Sequence, residues 1–131
     1  MSDKFEVVKE YLQELDFHIV DENPDEQLVV VDDEENGLKN LVIDCEDPIL
    51  IIEQVILGVP SHPGDLFKRL LQMNRNLVHG AFVLDEAAAL VLFRDTLQLE
   101  NLDENELEGS LNSLSLLLSE YSEELIKFSK N

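Results

Sequence analysis

Tryptophan is absent from this sequence of 131 residues, and aromatic residues of all kinds make up only 6% of it. A hydrophobic core must therefore rest on Leu, Val and Ile. Cys45 is the one cysteine, so no intramolecular disulfide can form and nothing argues for secretion. It lies in the strand-like run Leu41-Val42-Ile43-Asp44-Cys45, where a packed or half-buried thiol is expected rather than a reactive one. The five glycines are scattered at positions 37, 58, 64, 80 and 109 and build no phosphate-cradling loop. No apolar run approaches the ~20 residues of a membrane span. The start, Met1-Ser2-Asp3-Lys4, lacks a basic region followed by an apolar stretch, so no signal peptide is expected and the cytoplasm is the expected compartment.

Catalytic signatures are missing too. His18, His62 and His79 fall in different elements, none beside Cys or carboxylates at zinc-ligand spacing. The serines of the last segment, Ser110, Ser113, Ser115, Ser119 and Ser122, lie in no nucleophile elbow and are expected to give a helix a small polar surface. The run Asp32-Asp33-Glu34-Glu35-Asn36-Gly37 lacks the alternating ligands and closing Glu of a calcium loop and reads as a solvated hairpin tip. No metal and no cofactor are expected.

What is present in excess is acid. Twenty-nine Asp and Glu face nine Lys and Arg, a net charge of −20. Residues 1–57 hold 17 acids against 3 bases, and residues 58–131 hold 12 against 6. Such a field repels nucleic acid and anionic membrane surfaces, and serves either solubility or the steering of basic partners. The one tight basic group is Lys68, Arg69 and Arg75. Length fits one domain over 1–131, with 44% hydrophobic residues as in an ordinary globular chain.

Periodicity gives the elements. Ser2 is a candidate N-cap, and Phe5, Val8, Leu12 and Leu15 recur at helical spacing while Glu6, Glu10 and Glu14 form an acidic ridge. Strands are expected at Phe17–Val20, Leu28–Val31 and Leu38–Cys45, with turns at Asn23-Pro24-Asp25 and Asn36-Gly37. Asp47-Pro48 interrupts the third, and Ile49–Leu57 resumes as part of one bulged strand or as a fourth. Ser61 or His62 before Pro63 is expected to open a second helix bearing Leu66, Phe67, Leu70, Leu71 and Met73. Leu77–Leu84 and Ala89–Leu99 form a hairpin about Asp85-Glu86, apolar enough to suggest burial on both faces and more cover than one small helix supplies. Asp103 and Glu106 have capping-box spacing. Leu107, Leu111, Leu114, Leu118, Tyr121, Leu125 and Phe128 then mark a helix lying across a sheet. The expected fold is α+β: an antiparallel sheet of five to six strands with three helices, ordered α-β-β-β(-β)-α-β-β-α.

The stretch Leu66-Phe67-Lys68-Arg69-Leu70-Leu71-Gln72-Met73-Asn74, then Gly80-Ala81-Phe82-Val83-Leu84-Asp85, Leu90-Val91-Leu92, Leu97 and the acidic Leu-rich terminal helix resembles the type III secretion chaperone-like superfamily, which holds the CesT/Tir-type chaperones and the YbjN-like proteins. The resemblance covers most of the chain in order and about half in detail; the N-terminal strands match in kind alone. It implies a homodimer that holds a non-globular protein segment and possesses no catalytic residues; the net charge adds that neither nucleic acid nor membrane is an expected partner. Dimer contacts map to Leu66, Phe67, Leu70, Leu71, Phe82, Val83 and Leu84. Partner-binding strips map to Phe5, Val8, Leu12, Phe17, Ile19, Val29 and Val31. The acidic surround favours a basic partner segment. The other reading is a YbjN-like regulatory or stress-response domain acting on a signalling protein or small ligand; an enzyme built on scattered acids is a third.

Overall fold

A computed structural model describes residues 3–131. The chain runs α1 (Lys4–Glu14), β1 (His18–Asn23), β2 (Leu28–Asp33), a 3-10 turn (Glu34–Asn36), β3 (Leu38–Glu46), β4 (Ile49–Gly58), α2 (Leu66–Asn74), β5 (Ala81–Leu84), β6 (Leu90–Gln98) and α3 (Glu104–Ser129). All strand pairs are antiparallel, in the order β1-β2-β3-β4-β6-β5. This is the α+β order expected from the sequence, with the open choice at Asp47-Pro48 resolved. The Asp47–Pro48 peptide is cis and joins two separate strands, because Glu46 turns back to pair with Ile49.

The helix ends follow local chemistry. Ser2 lies outside the described residues, and the cap of α1 is Asp3, whose carboxylate accepts the Glu6 N–H at 3.1 Å. The second helix begins at Leu66, later than Ser61 or His62. Gly64 takes a left-handed φ of +55°, which no helical run continues through, and Leu66 N–H closes the turn on the Pro63 carbonyl. At α3 both halves of the capping box are made: Asp103 accepts the Glu106 N–H at 2.8 Å and Glu106 accepts the Asp103 N–H at 3.3 Å.

Phe5, Val8 and Leu12 of α1, Leu66, Leu70 and Met73 of α2, and Leu107, Leu111, Leu114, Leu117 and Leu125 of α3 join one core. Its sheet side is Val29, Val31, Leu41, Ile43, Leu50, Ile52, Val91, Phe93 and Phe82. Residues paired directly across antiparallel strands share a face, and the register puts this whole set on one side. The three helices therefore cover one face. The hairpin differs from the sequence reading on this point. Phe82, Val91 and Phe93 are buried, whereas Ala81, Val83 and Leu92 point to the uncovered face and are half-buried. The hairpin's first strand is also short. Residues 77–80 do not pair, because Gly80 turns the chain with φ +74° against the ring of Phe93.

Gly80 is fixed by that contact. A Cβ there would collide with the Phe93 ring and lie 3.0 Å from the Arg94 carbonyl oxygen, on a backbone conformation L side chains rarely adopt. Gly80→Ala should lower unfolding free energy by at least ~2 kcal/mol in urea titration. Phe93→Leu in the same chain should recover part of that loss. A single variant within about 0.5 kcal/mol of the wild type would contradict the contact.

Candidate partner-binding surfaces

Among the described residues, no group of three or more His, Cys, Asp or Glu is placed to hold a metal ion, and no helix is long and apolar enough to cross a membrane. Cys45 is buried, and burial pushes its thiol up to about 11, with Asp44 adding to the effect.

The first surface is on α2 and β5. Leu70 and Met73 turn inward, which leaves Phe67 and Leu71, one turn apart, 38% and 71% exposed. Leu84 on β5, the strand α2 rests against, is 41% exposed. Of the residues expected at a dimer contact, Phe67, Leu71 and Leu84 thus reach solvent. Leu66, Leu70 and Phe82 fill the subunit's own core, and Val83 is half-buried on the opposite face of the sheet. The cations Lys68, Arg69 and Arg75 flank this surface. Arg69 holds Glu124 of α3 through two N–H donors, one at 2.9 Å, and keeps that carboxyl below the usual carboxylate range.

The second surface is the expected partner strip on α1, β1 and β2. Of its residues, Phe5, Val8, Leu12, Val29 and Val31 lie in the core, from 0% to 4% exposed. Their helical and alternating spacing was the signature of the covered side of each element. Phe17 and Ile19 remain half-buried at the rim of the core. Val7 and Val20 are the aliphatic side chains exposed beside them, 39% and 44%.

The third surface is the uncovered face of the sheet, which the sequence reading did not locate. Register aligns Asn23, Leu28, Asp44, Ile51 and Thr96 in one row across β1, β2, β3, β4 and β6. The next row is Asp21, Val30, Val42, Glu53, Arg94 and Ala81. Val55, Leu92 and Val83 form another. Asp44 thus sits between Leu28 and Ile51, and its Oδ1 is buried with no hydrogen-bond partner among the described residues. Burial, then the charge of Glu46 and a side-chain hydrogen bond with it, and then the charges of Glu26 and Glu53, push its carboxyl up to about 6.

Serines of α3 fasten the scaffold behind these surfaces. Ser110, fully buried, donates to Asp95 Oδ2 of β6 at 2.7 Å. Ser113 donates to the His79 carbonyl at 3.1 Å and Ser115 to the Asn36 carbonyl at 3.0 Å. Sequence alone read them as a polar face; their 3.6-residue phase relative to Leu107, Leu111 and Leu114 was the available signal that Ser110 points inward.

A family model, CesT_Tir_1, matches residues 1–131. The chain belongs to the CesT_Tir_1 family. Solved structures share the fold at low identity. YbjN from E. coli superposes with a TM-score of 0.72 at 15% identity, covering 92% of each chain. The ExsC–ExsE complex gives 0.68 at 16% identity, over 95% of this chain and 97% of that one. The Yersinia pestis type III secretion chaperone SycH, in complex with a stable fragment of YscM2, gives 0.53 at 15% identity, over 96% of this chain and 99% of that one. No curated protein matches in sequence. The fold of this family member is therefore that of the type III secretion chaperone-like group anticipated from residues 66–92 and the terminal helix.

Asp44 carries a stability consequence. A carboxyl held above its usual range keeps its proton more tightly in the fold than in the unfolded chain. Asp44 therefore weakens the fold as pH rises from about 4 to about 6, and the full penalty is present at neutral pH. Asp44→Asn should raise unfolding free energy by about 1–3 kcal/mol at neutral pH. The gain should vanish near pH 4, where wild-type Asp44 is already neutral in the fold. A gain independent of pH would show that the carboxylate charge is not its source.

Proposed function

We propose that this chain is a non-catalytic protein-binding module, one chaperone-like domain over residues 1–131, that holds a non-globular segment of another protein in the cytoplasm. The observation that carries this reading is the apolar surface left outside the core: Phe67, Leu71 and Leu84 at one end of the sheet, and the half-buried aliphatic residues of its uncovered face. The type III secretion chaperone SycH, which shares the fold and was solved in complex with a fragment of YscM2, supports it. Phe17 and Ile19, at the rim of α1 and β1, are the residues of the expected partner strip still able to touch a client directly.

The module works as a homodimer through α2 and β5. Charge favours this site: with a net of −20, two copies repel least where Lys68 and Arg75 offset the acid and Arg69 neutralises Glu124. Phe67 and Leu71 supply the apolar contact, with Leu84 beside them.

The TM-score of 0.72 to YbjN favours a second reading, a regulatory or stress-response domain that acts on a signalling protein or a small ligand. Both readings share the dimer and differ in the partner. Native capture of the tagged protein from its host, followed by cross-linking, separates them. A stoichiometric protein cross-linked through an extended segment is expected for a chaperone. A folded signalling protein or a copurifying small molecule favours the second reading. Wild-type protein that is monomeric and recovers no partner would overturn both.

The dimer is tested directly by light scattering. Phe67→Glu with Leu71→Glu should convert a dimer to a monomer while leaving the circular dichroism spectrum unchanged, since both side chains reach solvent in the subunit. A double variant that keeps the wild-type mass places the dimer contact elsewhere.

A further inference from the structure

We propose that the uncovered face of the sheet over β2, β3 and β4, centred on Asp44, is the docking surface for a polypeptide segment that carries a lysine or arginine beside aliphatic side chains, the cation bonding to Asp44. The inference rests on the reading that this protein holds a polypeptide, and it names where and of what chemistry.

The surface has two parts that ask for different things. Leu28, Val30, Val42, Ile49 and Ile51 are half-buried side chains with no helix over them. They favour aliphatic contact. Among them Asp44 presents one acceptor oxygen, Oδ1, that is shielded from solvent by its neighbours and has no hydrogen-bond donor among the described residues. An unmade bond at a buried acceptor is costly, and a charged donor recovers the most.

Glu46 is in side-chain hydrogen-bonding reach of the Asp44 carboxyl, but a second carboxyl adds acid, and among the described residues no cation bonds to Asp44. The charges acting on Asp44 are Glu46 on its own strand, Glu26 from the β1–β2 turn and Glu53 on β4, all acidic. Arg94 faces the same side from β6, but its guanidinium is held by Glu53 at 2.9 Å. Lys4 reaches Asp47, at the end of this strand pair, rather than Asp44. The patch is therefore apolar and anionic at once, and its complement is apolar and cationic.

That complement selects among occupants. A second copy of this chain would bring another −20 against these acids. Nucleic acid and anionic lipid carry the wrong sign. A free metal ion or polyamine would meet the carboxylate but not the aliphatic rows. An extended segment with alternating side chains meets both, because its period of two sets aliphatic and cationic residues on the pleat of the sheet beneath.

The test uses the full-length protein and two synthetic strand-forming peptides, one alternating valine with lysine, the other valine with glutamate. Calorimetric titration near neutral pH should show the lysine peptide binding at least about tenfold tighter than the glutamate peptide. Asp44→Asn, which should fold more stably than the wild type, should weaken the lysine peptide by about ten- to a hundredfold. Amide shifts on titration should centre on Val30, Val42 and Ile51.

Lysine-peptide binding unchanged in Asp44→Asn, or shifts centred on α1 and β1, would overturn this docking site and leave the protein-holding reading intact. So would spermine binding as tightly as the peptide, which would mark a cation site alone, or a change of molecular mass in Asp44→Asn, which would mark a contact between copies. If neither peptide binds while native capture still yields a protein partner, the Asp44 site fails alone; if capture fails too, both readings fall.

Discussion

A six-stranded antiparallel sheet has two faces to shield from water, and the three helices of this chain lie on one of them. That asymmetry governs the rest of the structure. The covered side reaches full burial at Val29, Val31, Leu41, Ile43, Leu50, Ile52, Val91 and Phe93. The uncovered side is left with aliphatic residues that cross-strand neighbours shield only in part. A subunit built this way keeps apolar surface that its own elements do not reach, and such surface marks an interaction site more often than an accident of sequence.

Charge divides that surface. The acids concentrate in residues 1–57, which build α1, β1, β2, β3 and most of β4. The basic cluster lies on α2, where Arg69 also ties α2 to α3 through Glu124. The two apolar regions therefore differ in electrostatic character. The α2–β5 end can face a copy of itself at modest repulsion, whereas the β2–β4 end repels a copy and attracts a cation.

Much of the architecture was legible in the sequence because it follows periodicity. Phe5-Val8-Leu12, the alternating residues of β2 and β3, and Leu107-Leu111-Leu114 mark faces directly. The same periodicity does not by itself mark a partner surface: periodic apolar residues are the ones a fold covers first, and Phe5, Val8, Leu12, Val29 and Val31 lie in the core. Asp44 could not be found this way. Its character comes from Leu28 and Ile51 on either side and from Glu26 and Glu53 nearby, neighbours fixed by register across three strands. The start of α2 was misplaced because Pro63 suits a first turn, while the left-handed Gly64 that follows does not.

The sheet edges add a constraint on how any partner meets this protein. Asn74, the last residue of α2, accepts the Phe82 N–H at 2.7 Å and donates to the Phe82 carbonyl at 3.2 Å. A single side-chain amide thus occupies the outward hydrogen-bonding groups in the middle of β5. No strand can pair there without displacing it. At the other edge, β1 carries a bulge between Ile19 and Asp21 that breaks its register with β2, and Asp21 and Glu22 line the strand with charge. Bulges and edge charges both discourage unintended pairing. With both edges obstructed, contact through α2 and β5 must run side chain to side chain, over Phe67, Leu71 and Leu84. The broad unobstructed approach to the sheet is then its uncovered face, where backbone groups are already paired within the ladder. Recognition there rests on side chains alone, and a row interrupted by one unpartnered carboxylate can tell a cationic segment from any other aliphatic one.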